Sequence, residues 1–184
     1  MKSVLAAALI LLLPTTVMAP PLMGIYYGYT PGQMWYRPQL GESFNAYVYV
    51  HDWGCNLSAV EFKVQIETPS IIYNGFEIPE GSLVLGYPLE GVSITVWPPV
   101  STCTTNHLFV CTVRLFAIDT CWEYDGSIGD AYIRIVPHPD SGGIYGTCWP
   151  ENYMFDFIGL TSIICPQPIA NEEASWGAIK GLFE

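Results

Sequence analysis

Hydrophobic and polar side chains alternate along this chain, most regularly in residues 57–66, which read LSAVEFKVQI. Val60, Phe62, Val64 and Ile66 are apolar, and the residues between them are charged or carry an amide group. Successive side chains of a β-strand point to opposite faces, so this pattern predicts a strand with one face on a core and the other in water.

The same period of two marks several other segments, and turn-forming residues lie between them. Asn74-Gly75 interrupts one of these segments, and Pro98-Pro99 ends another. Many short strands separated by glycine and proline predict an all-β fold, an antiparallel β-sandwich of jelly-roll or Ig-like type with about nine strands. The predicted strands cover residues 44–51, 57–66, 71–78, 82–85, 92–97, 107–118, 132–136, 144–149 and 155–164.

Two of these strands carry residues on which a functional prediction depends. In residues 44–51, Phe44 and Val48 belong to the apolar row, and Tyr47 and Tyr49 belong to the opposite row. The sandwich therefore predicts Tyr47 and Tyr49 on an outer face. In residues 107–118 the predicted inner row is Phe109, Cys111, Val113, Leu115 and Ala117.

The two ends of the chain differ from the part between them. Residues 1–19 have a positive charge, a short apolar run and small residues, which predicts a secretory signal peptide rather than a membrane span of about 20 residues, with a retained N-terminal anchor as the alternative. Residues 20–168 form the predicted sandwich domain. Residues 169–184 predict a short helix that packs on the sandwich, or a tail used for sorting or docking outside the cell. Three apolar residues have helical spacing there: Trp176, Ile179 and Phe183.

The charge of the chain narrows the choice of partners. Without residues 1–19, 17 acidic and five basic side chains remain, a net charge of −12. Phosphate binding needs clustered lysine and arginine, so nucleic acid and anionic membranes are poor partners. We expect a protein or a polysaccharide at the cell exterior as the partner, and self-association stays open.

An even number of cysteines in an exported chain indicates disulfide bonds. The spacing contains no Cys-x-x-Cys pair, which disfavours zinc. We expect up to three disulfides, and the sequence does not choose among the 15 pairings that six cysteines allow. The candidates are Cys55, Cys103, Cys111, Cys121, Cys148 and Cys165.

A resemblance to a known family rests on the strand sequences. GESFNAYVYVHD followed by LSAVEFKVQIE resembles the opening strands of cohesin-type and related carbohydrate-binding sandwiches, and GVSITVW and LFVCTVRLFAI are similar to their middle strands. The ending EEASWGAIKGLFE resembles the tails of many uncharacterised exported bacterial proteins. The resemblance covers residues 24–165 and implies a cohesin-like or carbohydrate-binding-module-like sandwich without catalytic activity.

Motifs for catalysis or metal binding are weak. The chain has three histidines but no Gly-x-Ser-x-Gly nucleophile elbow, so we expect no enzyme, with a secreted hydrolase as the least favoured alternative. The acidic stretch from Asp119 to Asp130 has calcium-type ligands, but Tyr124 stands where an EF-hand needs glycine. We therefore expect no cofactor and no metal, while a calcium loop there stays open.

Aromatic residues are the best candidates for a binding surface. Tyr47 and Tyr49, two residues apart on one strand face, predict a flat platform that stacks on sugar rings or fills a protein hot spot. Trp97 and Trp122 lie near turns and would rim that site. The alternative is that these rings only pack across strands. We predict a secreted, non-catalytic interaction or structural module at the cell surface, and a carbohydrate-binding module is the alternative.

Overall fold

A computed structural model describes residues 20–51, 56–100, 107–119, 131–150 and 152–164. These residues form strands, turns and bends, and none of them is helical, so the all-β prediction is confirmed. The strands are β1 (Leu22–Tyr26), β2 (Trp35–Tyr36), β3 (Ser43–His51), β4 (Leu57–Glu67), β5 (Ile71–Glu77), β6 (Val84–Tyr87), β7 (Gly91–Val100), β8 (His107–Ala117), β9 (Ala131–Val136), β10 (Tyr145–Cys148), β11 (Tyr153–Asp156), β12 (Ile158–Gly159) and β13 (Thr161–Ile164).

The strands form two sheets, as the predicted sandwich requires. The first sheet has five strands in the order β12-β1-β3-β8-β5. The second has eight: β11-β10-β4-β9-β13-β2 lie in one row, β7 pairs with β4, and β6 pairs with β7. Neighbours are antiparallel except β1 with β12 and β2 with β13, which are parallel.

The core lies between the two sheets and is built from the alternating apolar rows. Val48 and Val50 of β3 are fully buried, as are Val60 and Phe62 of β4. Fully burying a side chain of this size contributes roughly 1.5–3 kcal/mol, which is why the apolar alternation decides which face turns inward. The remaining core residues include Met23, Ile25, Ile94, Val113, Leu115, Ile133 and Ile164.

A β-bulge takes the place of the interruption predicted in β5. The register of β5 against β8 shifts between Tyr73 and Phe76, and Gly75 has a φ of 113°. Residues with a Cβ atom rarely adopt that backbone conformation. Gly75 can adopt it, so the strand bulges at Asn74-Gly75 and continues.

A second bulge changes the faces of β8. Val48 lies opposite Cys111, but Tyr49 lies opposite Phe109, so Val110 is an extra residue in β8. In the residues of β8 that precede Val110, the alternation of inward and outward side chains is therefore shifted by one residue. The prediction that Phe109 belongs to the inner row is therefore wrong, because its ring packs on the outer face of the sheet.

The structure also corrects several strand boundaries. β7 continues through Pro98-Pro99 to Val100, and β1 and β2 have no counterpart among the predicted strands. The single strand predicted over residues 155–164 is three short ones, of which β12 joins the first sheet while β11 and β13 join the second.

The predicted signal peptide and C-terminal helix lie outside the described residues. Within the described parts, no helix is long and apolar enough to span a membrane.

Candidate functional site

Tyr47 and Tyr49 do not form the exposed platform that the sequence predicts. Their side chains leave the outer face of the first sheet, as predicted, but only 6% and 5% of the two residues is exposed. Both pack against Tyr26 and Phe109 in a small cluster separate from the main core. The Tyr49 ring lies 5.9 Å from that of Tyr26 and 5.6 Å from that of Phe109, measured between centroids. The rings stabilise the fold at this position, so the prediction of an open aromatic face is wrong.

The segment that follows β1 covers these two tyrosines. The Tyr29 ring lies 4.8 Å from the Tyr47 ring, and Met34 packs against the cluster. The Tyr49 hydroxyl donates a hydrogen bond of 2.5 Å to the carbonyl oxygen of Tyr29. Burial raises the pKa of Tyr49, because it disfavours the charged phenolate. Residues 27–34 therefore act as a cover over the outer face.

Two histidines border the same cluster. His51 and His107 are register partners at the ends of β3 and β8, with ring centroids 6.3 Å apart. His51 makes an edge contact with Tyr26, and His107 makes one with Tyr49. These contacts extend the aromatic packing to the end of the sheet.

A different surface, on the second sheet, exposes large apolar side chains. Leu83, Leu85 and Trp97 are 71%, 76% and 64% exposed. Leu85 lies opposite Ser93 of β7, and the Thr95 amide donates to the Leu83 carbonyl oxygen at 2.9 Å. Trp97 follows Thr95 by two residues, so all three apolar side chains belong to one outer face. Of the predicted site residues, Trp97 is thus exposed as expected, and Trp122 lies outside the described residues.

Small and uncharged residues continue one row of this face across the neighbouring strands, while Glu61 lies opposite Ser93 in the next row. Through the strand register, Leu83 and Thr95 lie in one cross-strand row with Ala59, Thr147 and Met154, and Met154 is 52% exposed. We call this surface the docking face. It is defined by Leu83, Leu85, Trp97, Ser93, Thr95, Ala59, Thr147 and Met154.

A depression of about 430 Å³ opens beside Leu85 at the edge of the docking face. The exposed acidic residues Glu90 and Asp140 are part of its lining, and His138 and Pro139 form one wall. Its lining residues include no lysine and no arginine. The two ion pairs found among the described residues, Arg114–Glu77 and Arg134–Glu67, use other carboxylates.

The wall of the depression is held by its own hydrogen bonds. The His138 amide donates to the Gly143 carbonyl oxygen at 2.7 Å, and the Asp140 amide donates to Nδ1 of His138 at 3.2 Å. The floor is Gly91, where a Cβ would lie 2.7 Å from Cδ of Pro139 and 2.8 Å from Nε2 of His138. Only glycine permits so close an approach, so backbone atoms form the base of the depression.

The cysteines divide into two described residues and four that lie outside the described part. Cys111 is a free thiol buried in the core, where burial raises its pKa, so its predicted disulfide is wrong. Cys148 is disulfide-bonded and only 3% exposed. The remaining candidates are Cys55, Cys103, Cys121 and Cys165. With Cys111 excluded, five cysteines allow two disulfides at most rather than three.

The possible calcium loop falls almost wholly outside the described residues. Asp119 is described, whereas residues 120–130 are not. Among the residues that the structure describes, no group of three or more histidine, cysteine, aspartate or glutamate side chains is arranged to hold a metal ion.

Sequence reasoning predicted Trp97 but missed the other residues that form the docking face. Leu83 and Leu85 are part of a short segment, residues 82–85, in which the inward and outward rows are both apolar or small. The signal that was available is the alternation of residues 92–96 with Trp97: it places Ser93, Thr95 and Trp97 in one outward row.

Comparisons with known proteins found likeness in structure but not in sequence. No protein-family model matches the chain, and no curated protein matches it. Among solved structures, a cohesin module of a family 33 glycoside hydrolase from Clostridium perfringens has a TM-score of 0.54 at 10% identity. The match covers 80% of this chain and 98% of that module.

Two further cohesins are similar to a comparable degree. A non-cellulosomal cohesin from the archaeon Archaeoglobus fulgidus has a TM-score of 0.51 at 11% identity, over 86% of this chain and 98% of that one. The third ScaB cohesin of R. flavefaciens, solved in complex with a group 1 dockerin, has a TM-score of 0.52 at 11% identity, over 83% and 99%. The protein therefore has a cohesin-like β-sandwich fold, as its sequence resemblance implied.

Proposed function

We propose that this protein is a non-catalytic module that binds another protein through the docking face, outside the cell or in the cell envelope. The observation that carries the proposal is the exposure of Leu83, Leu85 and Trp97 on one outer sheet face. Large apolar side chains grouped on a surface mark interaction sites, and tryptophan in particular contributes much of the energy at protein interfaces.

The shape of the face supports a protein as its occupant. Residues at its centre, such as Ala59 and Ser93, are small, so the strands present a flat surface rather than a deep pocket. The exposed side chains of Leu83, Leu85 and Trp97 lie on its β6–β7 side, and Met154 of β11 lies at the opposite edge. A flat centre that carries the single carboxylate of Glu61, with apolar anchors beside it, suits a protein surface of matching shape.

The neighbours in structure support the same class of function. Two of the similar cohesins, one from R. flavefaciens and one from Acetivibrio cellulolyticus, were solved in complex with a dockerin, a protein partner. A partner of that general kind, a separate protein domain, is what we propose here. The alternative of a carbohydrate-binding module loses its main support, because the Tyr47 and Tyr49 rings are covered by residues 27–34.

The proposal is tested with peptides selected from a random library against the whole protein. Binding surfaces with exposed apolar anchors capture such peptides in preference to other surfaces. We expect most selected peptides to bind the Leu85→Ser and Trp97→Ser variants about tenfold more weakly, a loss of about 1.4 kcal/mol, by calorimetric titration.

Matched control variants change an exposed apolar residue of β5 in the other sheet and the exposed apolar residue that follows β8. Ile72→Ser and Ile118→Ser alter residues that are 45% and 49% exposed. All four substitutions are at the surface, so each is expected to change the free energy of unfolding by less than about 0.5 kcal/mol. Peptides that bind the Leu85 and Trp97 variants as tightly as the unchanged protein would refute the docking face.

A further inference from the structure

The depression beside Leu85 lies next to the docking face, and its chemistry indicates one feature of the partner. We propose that it receives an arginine side chain of the bound protein; this inference rests on the proposed function. The guanidinium would lie between the carboxylates of Glu90 and Asp140, and its methylene chain would pack on Leu85.

The charges lining the depression favour a cation. Glu90 and Asp140 are both exposed carboxylates, and none of the eight lining residues is lysine or arginine. Arg114 and Arg134, which form ion pairs among the described residues, are bound to Glu77 and Glu67. A cation from a partner would therefore meet two carboxylates that form no ion pair with a described basic residue.

The size and the position of the depression favour a side chain of a protein that is already bound nearby. Its volume of about 430 Å³ exceeds that of one amino-acid side chain and is near the lower end of ligand pockets, which span about 300–1,000 Å³. Leu85 and Ser93 belong both to its lining and to the docking face. A partner seated on Leu85 would consequently place its next residues at the opening.

The apolar and polar parts of the lining match arginine better than a compact ammonium ion. Leu85 and Pro139 offer apolar surface for the methylene chain, while the planar guanidinium can donate hydrogen bonds to two carboxylates at once. The hydrogen bonds that hold residues 138–143 fix the backbone at Asp140 before binding, so less conformational entropy is lost.

The test uses acetyl-arginine amide as the probe and follows backbone amide signals of the full chain by NMR. The control probe is acetyl-citrulline amide, which has nearly the same shape but no charge. We expect the arginine probe to shift the amides of Glu90, Gly91 and Asp140 in a saturable way, with an affinity that falls as salt is added. The citrulline probe should bind about tenfold more weakly, the loss expected when a charge-assisted hydrogen bond is removed.

Variants separate this inference from the proposed function. The double variant Glu90→Gln with Asp140→Asn should reduce arginine binding about tenfold, whereas Glu80→Gln, an exposed acid outside the depression, should not change it. Equal binding of both probes, an unchanged affinity in the double variant, or no saturable shift at these amides would overturn the inference. Peptides that depend on Leu85 and Trp97 would in that case still support the docking face.

Discussion

Tyr49 shows how one side chain joins the two sheet strands and the covering segment. Its ring contacts Tyr26 of β1 and Phe109 of β8, while its hydroxyl reaches the backbone of Tyr29. The ring therefore contributes packing, and the hydroxyl fixes residues 27–34 in place over the outer face.

Removing only that hydroxyl tests its part in the stability of the fold. Tyr49→Phe keeps the ring but leaves the Tyr29 carbonyl without this donor, so we expect the free energy of unfolding to fall by about 1 kcal/mol in urea denaturation. Tyr87→Phe is the control, because Tyr87 is 61% exposed and its change should cost less than about 0.5 kcal/mol. Equal losses in both variants would contradict this role.

The sequence predicts the direction of Tyr49 correctly but not its burial. Alternation with Val48 and Val50 determines the face, because neighbouring side chains of a strand point to opposite sides. Burial depends on residues 27–34, which have no periodic pattern that would reveal where they pack. Trp97 has the same kind of outward position in its strand, and it stays exposed because no described segment lies over it.

At the scale of the elements, glycine positions decide where strands bend rather than end. Asn74-Gly75 has the composition of a tight turn, yet β5 passes through it as a bulge against β8. A dipeptide of this kind shows that the backbone departs from regular strand geometry. Whether the chain reverses or continues depends on the neighbouring strand, which the local sequence does not specify.

The bulge in β5 depends on the backbone freedom of Gly75. Gly75→Ala should lower the free energy of unfolding by about 1–3 kcal/mol, because a φ of 113° strains a residue with a Cβ. No heavy atom lies within 4 Å of the added Cβ, so the loss would come from the backbone and not from a clash. Gly32→Ala is the matched control, since its Cβ also meets open space and its φ is not positive. Thermal unfolding of both variants checks the difference, and equal melting temperatures would refute it.

The three strands β11, β12 and β13 show where element prediction from sequence stops. Their residues form one mainly apolar stretch, and hydrogen bonds to the backbone at Pro21 and Met23 divide it into separate strands. The Ile158 amide donates to Pro21 and the Leu160 amide donates to Met23, which draws β12 to the first sheet. Such long-range partners cannot be inferred from the alternation of a single segment.

At the scale of the whole molecule, the oxidation state of the cysteines bears on the compartment in which the protein works. Cys111 is a buried thiol in the core, whereas Cys148 ends β10 and is disulfide-bonded. A disulfide indicates an oxidising environment, which supports the proposal that the protein works outside the cytoplasm. The sequence gives the number of cysteines, but only the packing of β8 separates Cys111 from the others.

The strand register limits the partner of Cys148. Leu57 is the register partner of both Cys148 and Val100. Cys55 precedes Leu57 by two residues, and Cys103 follows Val100 by three. Peptide mapping without reduction should therefore find Cys148 linked to Cys55 or Cys103, and Cys111 unlinked.

A labelling experiment provides the control for this prediction. Cys111 should react with a thiol reagent only after denaturation, because it is fully buried and its raised pKa keeps it protonated. Rapid labelling in the native state, or a mapped bridge at Cys111, would show the prediction to be wrong.

The extra residue at Val110 has a consequence for the evolution of the chain. Residues 109–117 look like one uninterrupted alternation, but Phe109 and Cys111 serve opposite sides of the sheet. Loss of the Val110 codon would restore a regular ladder and keep Phe109 opposite Tyr49, whereas loss of a codon in the regular part of β8 would turn the side chains on one side of the deletion to the wrong face. Among descendants of this gene, single-residue deletions should therefore be far more frequent at residue 110 than in the regular part of β8.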